Sequence, residues 1–141
     1  MSDSLDESLV LMHFAFRGLI READDFLDKH GLSRVHHRIL FAVARSPGVN
    51  VGSLQTLLGV SKQALHRPLK QLLELGYVVS QRSSLEHRSK ELTLSAAGRA
   101  FEKKATSHEQ RAMKNALTKA SAEGVQAWRA IMLALARESQ R

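Results

Sequence analysis

Lys62, His66 and Lys70 stand at positions i, i+4 and i+8, and Gln63 and Arg67 run in a parallel row one residue on. On a helix the two rows share one face. Ammonium and guanidinium groups in such a row neutralise phosphates. An Arg fork matches the major-groove edge of guanine and a Gln amide that of adenine. Leu65, Leu69, Leu72 and Leu73 occupy the opposite face, and Ser61 stands at the start, where the free amides of a first helical turn suit a phosphate. Taken alone, the pattern also describes a solvated amphipathic helix.

A second cationic group follows. Arg82, His87, Arg88 and Lys90 cluster in or beside Ser83–Ser89, a polar stretch between two segments with strand-like alternation. From 61 to 90 there are six Lys and Arg against Glu74 and Glu86, net +4. An Arg at the end of a hairpin fits a narrow minor groove, where negative potential concentrates. A cationic helix followed by a cationic hairpin points to double-stranded nucleic acid more specifically than either does alone.

Other chemistry finds little support. No nucleophile–base pairing, carboxylate dyad or Gly-rich phosphate loop stands at a recognised spacing, so an enzyme is not expected and no cofactor is implied. The neighbours His36 and His37 point about 100° apart on a helix and cannot converge on one ion from that element, so no metal site is expected. His66 and His87 read as residues of the nucleic-acid face that gain charge below neutral pH. With no Cys in the chain there is neither a disulfide framework nor a thiol switch.

The elements that must position these residues follow from hydrophobic spacing and caps. Residues 4–29 read as a long amphipathic helix carrying Leu5, Leu9, Met12, Phe16, Leu19, Ala23 and Phe26, with Ser4 and Glu7 as a capping box and Gly31 as a stop. Ser33 caps a helix over about 33–45, Asn50 one over about 51–58, and Ser61 one over about 61–75. Only Gly59-Val60-Ser61 separates the last two, the length of a helix-turn-helix connection. Tyr77–Arg82 and Lys90–Leu94 favour strands. Ser95 then caps a helix to about 119, and Ser121 begins a last one whose stripe is Val125, Trp128, Ile131, Met132 and Leu135. The order is α-α-α-α-β-β-α-α. It specifies a mainly α fold with a small β-hairpin wing (α+β): a winged helix-turn-helix lobe over 33–95, flanked by helices 4–30 and 96–140, all in one domain spanning 1–141.

Composition agrees. The 141 residues are 43% hydrophobic and 25% charged, a globular balance. Residues 1–30 carry a net charge of −4 and the rest +11, so a polyanion would meet the body and not the first helix. The acidic start is not a secretory signal, and no apolar run nears the roughly 20 residues of a membrane span. A cytoplasmic protein with no membrane contact is expected.

The stretch from Leu54 to Val78, with Glu86-His87-Arg88 and Leu94-Ser95-Ala96-Ala97-Gly98, resembles the MarR family of bacterial transcriptional regulators. The resemblance runs over nearly the whole chain. Its most specific part is the wing signature, an acidic residue, any residue, then Arg, ending in Leu-Thr-x-x-Gly. Glu86 stands where Asp is usual, and Ser95 where Thr is usual.

This resemblance implies a homodimer in which the N- and C-terminal helices interlock across a two-fold axis. The surplus apolar surface of those helices argues for the same arrangement. Such a dimer would be a repressor on an inverted-repeat operator in double-stranded DNA. Ser61, Lys62, Gln63, His66, Arg67 and Lys70 would meet the major groove, Arg88 the minor groove, and Arg82 and Lys90 the phosphates. The resemblance also implies relief by a small-molecule effector, with Phe16, Arg17, His36 and Ile39 as pocket-lining candidates. Pro68, inside the recognition helix, removes a donor to Ala64 and should kink or loosen it, either to re-aim Arg67 and Lys70 or merely to suit packing. A basic protein-interaction adaptor, using the same surface without sequence-specific DNA binding, is the rival reading.

Overall fold

The computed structural model describes residues 2–82 and 90–140. Six helices and three strands follow one another: α1 (Ser2–Asp28), α2 (Arg34–Arg45), β1 (Val49–Asn50), α3 (Val51–Leu58), α4 (Lys62–Glu74), β2 (Val78–Arg82), β3 (Lys90–Leu94), α5 (Ala96–Leu117) and α6 (Ala122–Glu138). The chain divides into two compact units, residues 1–109 and residues 110–141.

Local chemistry sets most boundaries. Asn50 accepts a hydrogen bond from the Ser53 amide at 2.7 Å, Ser61 from Ala64 at 3.1 Å and Ser121 from Gly124 at 3.1 Å, each satisfying an orphan donor of a first turn. Gly59 closes α3 with φ +65°, a left-handed conformation that other residues resist, and so lets α4 begin three residues later. The expected capping box at Ser4 and Glu7 is not the start of α1. The helix already runs from Ser2, and Ser4 lies within it, its carbonyl accepting from the Ser8 hydroxyl at 2.9 Å.

In the first unit a small antiparallel sheet of order β1-β3-β2 backs the helices. The β2–β3 register pairs Val78 with Leu94, Ser80 with Leu92 and Arg82 with Lys90. The two-residue β1, which the sequence reading does not contain, pairs Val49 with Leu92. Val78, Leu92 and Leu94 turn inward onto Leu54 of α3, Leu65, Leu69 and Leu72 of α4, and Ile39, Leu40 and Val43 of α2. Ala23 and Leu27 of α1 are fully buried, and Phe101 and Ala105 of α5 join the core. Burying a Leu or Ile of this kind contributes roughly 1.5–3 kcal/mol. This cluster fixes α4 against the sheet and so decides which α4 side chains face out.

The first half of α1 contributes nothing to that core. Leu5 and Leu9 are each 67% exposed, and Met12, Phe14 and Phe16 are also exposed. In the second unit, Ile131, Leu133 and Leu135 of α6 lie exposed. Among the described residues no helix is long and apolar enough to cross a membrane.

Candidate nucleic-acid interface

The α4 helix separates its two faces cleanly. Leu65, Leu69 and Leu72 are buried, and Leu73 is half-buried. Ser61, Lys62, Gln63, His66, Arg67 and Lys70 are all exposed. Lys62, Arg67 and Lys70 enter none of the ion pairs found among the described residues, so this row keeps its charge for solvent or a partner. Pro68 sits half-buried between the two faces, and the helix runs unbroken through it from Lys62 to Glu74.

Two contacts hold α4 and its approach in place. Arg38 of α2 donates to the Leu58 carbonyl at 2.6 Å, tying α2 to the last turn of α3. His36, almost fully buried, spans α2 and α4. Its Nδ1 accepts from the Ser33 amide at 3.0 Å, which leaves the ring hydrogen on Nε2 to donate to Gln71 Oε1 at 2.7 Å. His36 is therefore a strut between α2 and α4. The sequence carried only a faint signal for it, a His three residues after a capping Ser.

On the sheet, Arg82 and Lys90 are exposed and are direct cross-strand partners. Like charges at paired positions cost a few tenths of a kcal/mol to about 1 kcal/mol, a cost that a phosphate lying across both would remove. The pair therefore marks the strand ends as an anion-seeking edge. Glu86, His87 and Arg88 lie outside the described residues.

A cavity of about 430 Å³ opens on the α2 side of the first unit. Its apolar wall includes Phe16, Ile20, Phe41 and Leu57, and Arg34, His37 and Glu109 supply polar groups. Of the four residues expected to line an effector pocket, Phe16 is there. Ile39 is instead fully buried core, His36 is the strut described above, and Arg17 packs over the Phe14 ring at 5.6 Å. The reason is helical phase. His37, one residue beyond His36, faces the cavity while His36 faces α4.

The polar wall is a connected cluster. Arg34 donates from Nε to Asp24 at 2.9 Å, from Nη2 to the same carboxylate, and from Nη1 to Glu109 at 2.7 Å. Burial raises the Glu109 pKa, but hydrogen bonds from His37 and Arg34, with their charges, outweigh it and hold the carboxyl below its usual range. Glu102, also buried, accepts from Thr106 and, at 3.1 Å, from Arg45, whose guanidinium lies 3.5 Å from the Phe41 ring centroid.

A profile of the MarR family matches residues 30–89. The HTH-type transcriptional regulator PetP of Rhodobacter capsulatus is 32% identical over 133 residues, covering 94% of this chain and 80% of that protein. Among solved structures, Streptococcus pneumoniae FabT in complex with DNA superposes with a TM-score of 0.83 at 16% identity, over 99% of this chain and 98% of that one. A MarR variant from E. coli complexed with operator DNA gives 0.74 at 16% identity, over 96% and 97%.

Proposed function

Because the chain belongs to the MarR family, we propose that it is a sequence-specific DNA-binding transcriptional regulator, a dimeric repressor relieved by a small-molecule effector. The observation that carries this reading is the exposed row of Lys62, Gln63, His66, Arg67 and Lys70 on a leucine-backed helix, set in a winged helix-turn-helix frame. The N-terminal residues of α4 enter the major groove, with Ser61 and the first-turn amides on a phosphate. Arg82 and Lys90 meet the backbone, and Arg88 enters the minor groove.

The lobe over 33–95 reads DNA, while 4–30 and 96–140 build the homodimer. The exposed apolar residues of α1 and of α6 support the second assignment, because exposed apolar patches on a folded chain mark protein contact sites. A two-fold dimer requires an inverted repeat, with half-site centres about 10–10.5 bp apart or a multiple of that. The cavity beside α2 supports an effector site. A ligand acts there by preferring a dimer whose recognition helices are wrongly spaced, and its leverage is limited to that difference in affinity.

Genomic fragments selected on the purified protein and then footprinted test the reading. It requires protection of an inverted repeat, affinity that falls steeply with salt, and weakened protection in Arg88→Ala. Diffuse binding with no protected repeat would return the chain to the adaptor reading.

A further inference from the structure

We propose that His37 is a proton-operated clamp between α2 and α5, its Nδ1 accepting from Arg34 when the ring is neutral and donating to Glu109 when the ring is charged. The clamp is independent of the DNA-binding reading. The ring is 1% exposed, and both nitrogens are engaged.

The proton can be traced from the far end. Glu102 Oε2 takes the Arg45 guanidinium at 3.1 Å and can only accept, so the Thr106 hydroxyl spends its hydrogen on Glu102. Thr106 Oγ1 must then accept from His37 Nε2, 2.9 Å away, so Nε2 carries a hydrogen in either charge state. Nδ1 is left as the titrating atom. It faces two groups with opposite demands, each at 3.0 Å: Arg34 Nη1, which can only donate, and Glu109 Oε2, which accepts. A neutral ring satisfies Arg34 and turns a lone pair toward Glu109. A protonated ring bonds Glu109 and leaves Arg34 to Asp24 and Glu109, which it already contacts.

Asp24 of α1 and Glu102 and Glu109 of α5 stand beside Arg34 and Arg45 of α2, and the Glu109 carboxylate faces the His37 Nδ1 directly. Arg38 of α2, also on the cavity wall, is exposed and bonded to the Leu58 carbonyl. Because the Glu109 carboxyl is held below its usual range, it stays ionised where an imidazole takes up its proton.

Imidazole nitrogen NMR of the full chain, followed from about pH 8.5 to about pH 5.5, tests the proton path. The neutral ring is expected as the Nε2–H form, with Nδ1 gaining a hydrogen on acidification. A neutral Nδ1–H ring, or a ring still neutral at about pH 5.5, overturns the proposal. The clamp itself is tested by thermal melts of the wild type and Glu109→Gln over the same range. The wild type should lead by several degrees at the acid end and by less at the alkaline end. A constant lead across the range overturns the clamp whatever the tautomer.

Discussion

Gly98 packs so closely on Tyr77 that an ideal Cβ at position 98 would stand 2.0 Å from the Tyr77 carbonyl oxygen. That carbonyl is itself held by the Ser95 amide at 3.0 Å, while Ser95 Oγ donates to the Gly76 carbonyl at 2.6 Å and accepts from the Gly98 amide at 3.0 Å. Ser95 therefore caps α5 and pins it to the turn that ends α4. The segment Leu94–Gly98 is a joint between the turn that ends α4, the sheet and α5.

Gly98→Ala should consequently be among the costliest single-methyl additions in the chain. The opposing atom is backbone, so the helix or the turn must shift, at a cost of about 2–3 kcal/mol or more. Urea unfolding measures it. A loss under about 0.5 kcal/mol, the range of ordinary surface changes, would mean that the contact relaxes freely.

Replacing Lys62, Arg67 or Lys70 with Ala should weaken operator binding while leaving the melting temperature nearly unchanged, because all three are exposed. A phosphate contact lowers the salt slope by about 1 and weakens all sequences alike, whereas a base contact costs about 1–3 kcal/mol at one position of the site. Titrations at several salt concentrations, on operator and on scrambled DNA, assign each residue. Arg67→Ala is expected to relax the preference at one base pair.

Glu109→Gln carries a pH signature below that of the histidine clamp. A carboxyl held below its usual value stabilises the fold above about pH 4.5 and loses that contribution as pH falls through its folded pKa. The wild type should therefore melt above the variant at neutral pH, and the two curves should converge in acid. Parallel curves down to about pH 3 would show that the carboxylate contributes nothing beyond its shape.

Leu9→Lys should dissociate the dimer. Leu9 makes no core contact in one chain, so a charge there leaves the monomer fold intact but is expensive inside an apolar interface. Sedimentation velocity should give a dimer for the wild type and a monomer for the variant, both with native circular dichroism.

Much of this was legible in the sequence because its causes are local. A cap and an apolar period set α2, α3, α4 and α6, and Gly59 sets the turn. The cationic row followed from spacing alone. What was missed has distant or very short causes. Two residues cannot show alternation, so β1 stayed hidden until Leu92 was seen beside Val49. The partners of His37 and Arg34 on α5 lie 69 and 75 positions away, so no local pattern announces the buried polar cluster. His36 and His37 illustrate the limit. Their 100° separation was predictable, but not that one turns to Gln71 and the other to Thr106.

Pro68 lies inside α4, which runs without a break from Lys62 to Glu74. A proline in a helix interior costs about 3 kcal/mol relative to Ala, and a kink was the expected response. Yet α4 is unbroken, Leu65, Leu69 and Leu72 stay buried in one line, and the cations on both sides of Pro68 remain exposed. The core contacts of those leucines hold α4 together on both sides of the missing amide. Pro68→Ala restores a donor for the Ala64 carbonyl. It should raise the unfolding midpoint by an amount corresponding to about 1–3 kcal/mol while operator affinity and sequence preference stay within about twofold. A variant that is more stable but reads a different base at the Arg67 or Lys70 position would instead make the proline a device for aiming the helix.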